Sequence, residues 1–298
     1  MKRATRTWLV TMALIGTAHI LGGCVEIPIH EATRTLSESF AATGAVELDV
    51  YTSNGRVTVQ GVEGQTTVEV IATIRSRGDT LIDAANRAAK IVVEMTQNGS
   101  QLVLSYDANE HPWDVRRYSG VEFEITVPTT VDAEVDTSNG TIEVSDIVGI
   151  LCLDASNGTI DVSDAIGEVD ASTSNGAILV DTYEGILSLE TSNGRIEMEN
   201  VVAVVNAQTS NGRIGFTGAL VDGIDHRMIT HNGRIDVMIP SDASVMIEAS
   251  TSNGTISTNL PLIGDTQGNR WSAALNPPTT AILTLGTSNA AIVILGGI

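Results

Sequence analysis

Three arginines recur at a regular spacing in the second half of the chain. Arg195, Arg213 and Arg234 each follow an Asn-Gly pair directly, and the first two are 18 residues apart. A guanidinium group offers a planar fork of donors that suits carboxylates and phosphates. An acidic residue stands two positions after two of these arginines, so a solvated, charge-balanced row is the competing interpretation. The arginines are a candidate anion or glycan site, provided that the fold stacks them.

Other residues with ligand chemistry are less well organised. Asp146, Asp164 and Asp181 offer the oxygen ligands that calcium prefers, but no calcium-binding repeat motif accompanies them, and acids near turns commonly cap the backbone. His226 and His231 are five residues apart and have no third zinc ligand beside them. We therefore predict no metal, no cofactor and no catalytic residues.

The N-terminus is typical of an export signal. Basic residues at positions 2, 3 and 6 precede a mostly apolar stretch over 8–20, which is short for a membrane span. The following Leu-Gly-Gly-Cys, residues 21–24, resembles a bacterial lipobox, in which the cysteine is acylated after cleavage. A secretory signal followed by a chance cysteine is the alternative. We expect residues 1–23 to be a signal peptide and Cys24 the lipid attachment site. Residues 24–39 would be a tether, and the body would lie in the cell envelope, at the outer membrane if the cell has one.

The charge of the chain excludes one class of partner. Its 298 residues include 16 basic and 36 acidic side chains, for a net charge of -20. Removing residues 1–23 would take away three basic and no acidic residues, leaving a net charge of -23. Such a surface repels nucleic acid and anionic lipid head groups. The predicted contact with a membrane is therefore the N-terminal lipid, and no nucleic-acid partner is expected.

A Ser-Asn-Gly turn repeats along the chain and indicates the architecture. The asparagines between 139 and 211 are separated by four steps of 18 residues, two steps of 21 follow, and the last step is 36. Internal repetition at a fixed interval is typical of solenoids and arrays. The turn residues of the regular part are Asn139, Gly140, Asn157, Gly158, Asn175, Gly176, Asn193, Gly194, Asn211 and Gly212.

Two strands can be assigned to each repeat. Counting the asparagine as position 1, position 4 is isoleucine in every copy from Ile142 onward, and position 6 is mostly apolar. Positions 13 and 15 are also apolar, with polar or mixed residues between them. This alternation indicates half-buried strands.

Two arrangements of these strands fit the pattern. The Asn-Gly pairs could close hairpins of an antiparallel meander. Alternatively, each repeat could be one coil of a β-solenoid, with like residues stacked about 4.8 Å apart. We favour the solenoid, because only stacking requires every turn to keep the same residues. Asn and Gly tolerate left-handed backbone conformations, and stacked asparagines can bond through their side-chain amides.

The fold class predicted is all-β, a β-solenoid of about 18-residue coils over 136–298 with an N-terminal β cap over 40–135. The cap contains alternating strands and one short helix over 80–90, which is rich in alanine. The 36-residue final step is expected to hide a degenerate coil. The uncharged terminal strand Ala-Ile-Val-Ile would need to be covered.

These motifs together resemble a bacterial adhesin-like family, the DUF4097 type, built on a repeated β-strand domain of unknown function. The resemblance rests on Ser53-Asn54-Gly55-Arg56-Val57, on the strand that ends in Val127-Pro128, and on the series of Thr-Ser-x-Gly-x-Ile coils that follows. It covers about residues 38–298. It implies β-helix-like coils and supplies no catalytic residues.

The function expected is a lipid-anchored scaffold of the cell envelope, structural or adhesin-like, that binds an envelope or extracellular polysaccharide or protein. The alternative is a polysaccharide-active enzyme on a β-helix. Such an enzyme would need a groove with clustered, non-repeating charges, expected near Trp113 or Trp271, because sugars stack on aromatic rings. The uniform repeats and the single lysine after residue 23, Lys90, disfavour catalysis.

Overall fold

The chain is almost entirely β-structure in two compact units. A computed structural model describes residues 12–15, 30–42 and 44–297. The units are Met1–Glu143 and Val144–Ile298, so the boundary falls a few residues beyond the expected Asp136. No helix in the part of the chain that is described is long and apolar enough to cross a membrane.

The first unit combines strands with short helical segments. Its described strands are β1 (Met12–Ile15), β2 (His30–Ala41), β3 (Val46–Thr52), β4 (Val57–Val62), β5 (Thr67–Gly78), β6 (Glu94–Asn98), β7 (Gln101–Tyr106), β8 (Ser119–Pro128) and β9 (Val131–Thr137). Its helices are α1 (Leu81–Lys90), α2 (Trp113–Arg117) and a 3-10 turn (Ala108–Glu110). Strand β10 (Ile142–Ser145) runs across the boundary.

The expected tether is wrong for residues 30–39. These residues belong to β2, which pairs antiparallel with β5 over its whole length, while β5 pairs antiparallel with β8. Ala32, Leu36 and Phe40 of β2 are buried. They are spaced four apart among polar residues, so the period-2 signal is weak and the segment looked like a linker. Strand β1, which lies in the predicted signal peptide, pairs antiparallel with β2.

The predicted helix over 80–90 is confirmed as α1. Thr80 is its N-cap, and its hydroxyl accepts a hydrogen bond from the Asp83 N–H at 3.1 Å. Ala84 and Ala88 are buried, and the helix packs on β5 and β2. The short helix α2, which begins after Pro112, was not expected from the sequence.

Within its described residues the second unit contains strands and no helix. They are β11 (Val148–Ala155), β12 (Ile160–Thr173), β13 (Ile178–Thr191), β14 (Ile196–Thr209), β15 (Ile214–Leu220), β16 (His226–Thr230), β17 (Ile235–Pro240), β18 (Val245–Thr251), β19 (Ile256–Thr258), β20 (Ile263–Asp265), β21 (Arg270–Leu275), β22 (Ile282–Thr287) and β23 (Ile292–Gly297).

Successive repeats of the second unit pair in parallel and in register. Ile178 lies between Ile160 and Ile196, and this 18-residue offset holds along β12, β13 and β14. All three isoleucines are fully buried. A meander of hairpins would instead make neighbouring repeats antiparallel, so that alternative is wrong for these strands. The isoleucine column and the apolar positions 6, 13 and 15 form the core.

The last repeat does not stack in chain order. Strand β23 pairs with β17 on one side and β19 on the other, and β22 lies between β16 and β18. The uncharged terminal strand is therefore covered by its own chain. The expected degenerate coil is wrong: β20 and β21 form an antiparallel pair, and β21 runs antiparallel to β18.

Candidate functional site

The Asn-Gly turns stack through their asparagine side chains. In the second unit each Nδ2 donates to the Oδ1 of the neighbouring turn, at 2.8 Å from Asn175 to Asn157, 2.9 Å from Asn193 to Asn175 and 2.8 Å from Asn211 to Asn193. In the first unit Asn139 donates to Asn54 in the same way, at 3.0 Å. The predicted amide ladder is thus confirmed for these turns.

The reason for glycine in these turns differs from the expected one. In the turns at Asn175, Asn193 and Asn211, neither residue of the Asn-Gly pair has a left-handed backbone. Glycine is required because a Cβ on Gly194 would overlap the carbonyl oxygen of Gly176 in the neighbouring repeat. A Cβ on Gly176 or on Gly212 would meet the preceding repeat in the same way. The turns therefore carry a stacking requirement, and their role is structural.

A second column, of threonines, supports the turns and was missed in the sequence. Thr191 is buried, donates to the Gly176 carbonyl at 3.1 Å and accepts from the Gly194 N–H at 3.1 Å. Thr209 repeats both bonds one repeat further on. The signal was visible, because a threonine stands two residues before most of the turn asparagines. One hydroxyl thus satisfies a donor in its own turn and an acceptor in the turn of the preceding repeat.

The three candidate arginines lie on consecutive repeats. The Ile196 N–H donates to the Arg213 carbonyl and the Ile214 N–H to the Arg234 carbonyl, both at 2.9 Å, so the arginines occupy equivalent places on neighbouring strands. All three side chains are exposed. The sequence spacing therefore does bring Arg195, Arg213 and Arg234 into one outward-facing column.

Two of these arginines are engaged with acids of the same face. Arg213 Nε lies 2.8 Å from Asp236 Oδ2, and its Nη1 lies 3.7 Å from Glu197 Oε1. Arg234 Nε lies 2.6 Å from Asp236 Oδ1. Because these pairs are partly exposed, each adds little to stability. Around Arg213 and Arg234 the column is a network of alternating charge.

A cleft opens within this network at Gly215. At the equivalent position the two neighbouring strands carry Glu197 and Asp236, whereas Gly215 has no side chain. A Cβ on Gly215 would collide with the Glu197 carboxylate. The resulting cavity of about 390 Å³ has polar walls formed by Arg213, Arg234 and the neighbouring acids, and Met238 and Leu295 also line it. The cleft can therefore offer charged hydrogen-bond donors, charged acceptors and an apolar surface to one ligand.

Two of the three candidate calcium ligands occupy left-handed backbone positions at a second place in the repeat, between the inward-facing positions 6 and 13. Asp146 and Asp164 have positive φ angles of 59° and 51°, and Thr182 and Asn200 adopt the same conformation at this position in the next repeats. Asn200 Nδ2 donates to Asp181 Oδ1 at 2.9 Å. The left-handed residues expected at the Asn-Gly turns thus lie here. Within the described residues no group of three or more His, Cys, Asp or Glu side chains could hold a metal ion.

His226 is a core residue. It is buried and pairs with Leu283, in a column that elsewhere holds aliphatic side chains. Its Nδ1 accepts from the Val205 N–H at 3.3 Å, and its Nε2 lies 3.0 Å from the Val221 carbonyl. Burial lowers the pKa of this imidazole, against smaller raising effects of the Val221 hydrogen bond and Asp225.

The remaining sequence candidates take little part in any site. Cys24 lies outside the described residues, so its acylation stays a prediction. Cys152 is exposed on the outer face of β11. Trp271 is buried in β21, and its Nε1 donates to the Gly268 carbonyl, so it offers no open ring to a sugar. Trp113 is exposed, with the Arg117 guanidinium 5.4 Å from its ring centre.

Comparison with known proteins yields distant structural likenesses. No protein-family profile matches the chain, and no curated protein matches it. A "putative adhesin" from Parabacteroides distasonis ATCC 8503 is 9% identical, with a TM-score of 0.41 over 87% of this chain and 96% of that one. A "putative adhesin" from Bacteroides fragilis NCTC 9343 is 11% identical, with a TM-score of 0.38 over 88% and 97%. A "putative lipid binding protein" from Parabacteroides distasonis ATCC 8503 is 12% identical, with a TM-score of 0.33 over 88% and 94%. Likenesses at this level assign no function.

Proposed function

We propose that the chain is a cell-envelope β-solenoid, anchored by a lipid on Cys24, that acts as a non-catalytic, adhesin-like binding scaffold. The observation that carries the proposal is the parallel register of β12–β15, which sets Arg195, Arg213 and Arg234 side by side in one column. Two of them, Arg213 and Arg234, line the Gly215 cleft. A repeating backbone of this kind offers a fixed, extended row of side chains to a repeating ligand.

The ligand class that fits the cleft best is an acidic polysaccharide. Sugar hydroxyls can donate to Glu197 and Asp236 and accept from the guanidinium groups, and hydrogen bonds to charged groups are stronger than neutral ones. A carboxylate or sulfate on the sugar would displace the acids from Arg213, whose exposed side chain can reorient. Met238 and Leu295 would contact the apolar face of a ring.

Binding to isolated envelope polysaccharides tests the site. The triple variant Arg195→Ala/Arg213→Ala/Arg234→Ala is compared with Arg77→Ala/Arg227→Ala/Arg270→Ala, which removes the same charge from exposed arginines elsewhere. We expect the first variant to bind about tenfold more weakly or worse, and the control to change less than about twofold. Equal losses in both variants would reject the site, and an inert wild-type protein would reject the ligand class.

The anchor is tested separately in cells. The Cys24→Ala variant should fail to incorporate an alkyne-labelled fatty acid and should move from the membrane fraction to the soluble fraction, because the acyl chains supply the membrane affinity. Val25→Ala is the control and should remain labelled. Labelling of Cys24→Ala at the wild-type level would exclude this attachment site.

A further inference from the structure

An exposed aliphatic patch lies on the second unit, away from the arginine column. It is formed by outward residues of β11–β14 that are 43–51% exposed. Its members are Val148, Ile150, Ile166, Ile186 and Val202. The parallel register joins them, because Val148 pairs with Ile166 on β12. We call these five residues the aliphatic patch.

Two carboxylates interrupt the patch in a checkerboard. Glu168 lies between Ile150 and Ile186 in one column, and Glu184 lies between Ile166 and Val202 in the other. Both carboxylates are exposed, and the ion pairs found among the described residues involve neither of them. The patch thus pairs apolar surface with negative charge that no ion pair among the described residues neutralises.

The surroundings of the patch are acidic as well. Strands β11–β14 carry ten Asp or Glu residues and no Lys or Arg. Contiguous exposed apolar surface on a soluble protein marks an interaction site, and complementary charge selects the partner. Anionic lipids, nucleic acids and acidic segments are excluded by repulsion. The partner must bring aliphatic side chains together with positive charge.

The spacing of the patch fits one helix. Neighbouring strands are about 4.8 Å apart, so the four strands span roughly 14 Å along the stack. Side chains three and four residues apart on a helix are about 5–6 Å apart, close to the strand spacing. We propose that the aliphatic patch docks a cationic amphipathic helix of another protein. The aliphatic stripe of that helix lies over Ile166 and Ile186, and its Lys or Arg residues reach Glu168 and Glu184.

The probe is a fluorescent 18-residue amphipathic Leu/Lys helix, titrated with the folded protein and followed by anisotropy. Two peptides separate the contributions: an Ala/Lys helix of equal charge and a Leu/Glu helix of opposite charge. We expect the Ala/Lys helix to bind at least about tenfold more weakly than the Leu/Lys helix, since it loses the apolar contacts. The Leu/Glu helix should not bind. Equal binding of the Leu/Lys and Ala/Lys helices would overturn the proposal.

Matched variants locate the binding. Ile166→Thr/Ile186→Thr should weaken the Leu/Lys peptide about tenfold, while Ile224→Thr/Ile263→Thr, which removes exposed isoleucines elsewhere, should change it less than about twofold. Glu168→Gln/Glu184→Gln should weaken binding and flatten its salt dependence, whereas Asp170→Asn/Glu190→Gln, on the same strands, should not. Equal effects within either pair would overturn the proposal.

Two further measurements serve as controls for this experiment. If the threonine variant does not fold by circular dichroism, Glu168→Lys/Glu184→Lys is used at exposed positions and should abolish binding of the Leu/Lys helix. Sedimentation velocity reports whether a second copy covers the patch. A concentration-dependent dimer that disappears in the Ile166→Thr/Ile186→Thr variant would show self-association and overturn the proposed partner. Both outcomes are independent of polysaccharide binding at the arginine column.

Discussion

The side chain of Asn289 donates a 2.6 Å hydrogen bond to the side-chain oxygen of Asn232, 57 residues earlier in the chain. Asn253 in turn donates to Asn289 at 2.8 Å. The final repeat is thus held between two repeats that are neighbours in sequence. The hydroxyl of Thr287 adds a bond to the Gly233 carbonyl at 2.9 Å. The end of the chain is therefore an internal layer of the second unit.

This order predicts which terminal isoleucine matters more for stability. Ile292 is fully buried between Ile235 and Ile256, whereas Ile256 is only half-buried. Ile292→Ala should lower the free energy of unfolding by about 2–5 kcal/mol, and Ile256→Ala should cost clearly less. Urea denaturation followed by circular dichroism measures both, with the outward-facing Val293→Ala as the control. A larger cost at Ile256 would indicate stacking in chain order instead.

The sequence predicts the isoleucine column, but it could not predict that the final repeat lies between the Asn232 and Asn253 repeats. Isoleucine stands at the same place after the turn in all three repeats, as Ile235, Ile256 and Ile292. The spacing is equally uninformative, because the step from Asn232 to Asn253 is 21 residues, the same as the step before it. Both stacking orders therefore bury the same kinds of side chain. The choice depends on β20 and β21, whose antiparallel pairing on β18 has no signature in the repeat pattern.

The candidate site was predicted only in part. The column of Arg195, Arg213 and Arg234 follows from equal spacing, but the Gly215 cleft depends on how Glu197 bends over a missing side chain. The aliphatic patch could have been found in the sequence. Ile166 and its equivalents are out of phase with the inward positions 13 and 15, so they must face outward.

Replacing a threonine of the buried column by an apolar residue of the same shape should lower the free energy of unfolding. Thr191→Val keeps the shape of the side chain but leaves the Gly194 N–H and the Gly176 carbonyl without their partner in a buried turn. The free energy of unfolding should fall by about 1–3 kcal/mol. Thr217→Val, at an exposed strand position, is the control and should stay within about 0.5 kcal/mol of wild type. Similar costs at both positions would contradict the role of the hydroxyl.

At the turn glycines even an alanine substitution should destabilise the fold. Gly194→Ala would place a methyl group on the Gly176 carbonyl oxygen, and the obstacle is backbone that both repeats hold in place. We expect a loss of about 3 kcal/mol, at the upper end for overpacking, seen as a lower denaturation midpoint. Gly223→Asn is the control: its φ is +77° with open space around it, and asparagine accepts that conformation. A tolerated Gly194→Ala would mean that the repeats can separate locally.

His226 predicts a pH dependence of stability with a definite sign. Burial lowers the pKa of its imidazole in the folded chain, whereas the unfolded chain binds the proton near the ordinary value of about 6.5. Below that value the unfolded state holds more protons, so the free energy of unfolding should fall as the pH drops from 7.5 toward 5. Protonation would also place a hydrogen on Nδ1, which accepts from Val205.

Replacing the imidazole should remove this part of the slope. His226→Leu puts an aliphatic side chain opposite Leu283, and its unfolding free energy, measured by urea denaturation from pH 7.5 to 5, should depend less on pH than that of wild type. Met228→Leu changes the core two residues away without a titratable group and should keep the wild-type slope. The slope is the readout, because His226→Leu also leaves the Val205 N–H without its acceptor. An unchanged slope in His226→Leu would assign the acid sensitivity to the carboxylates instead.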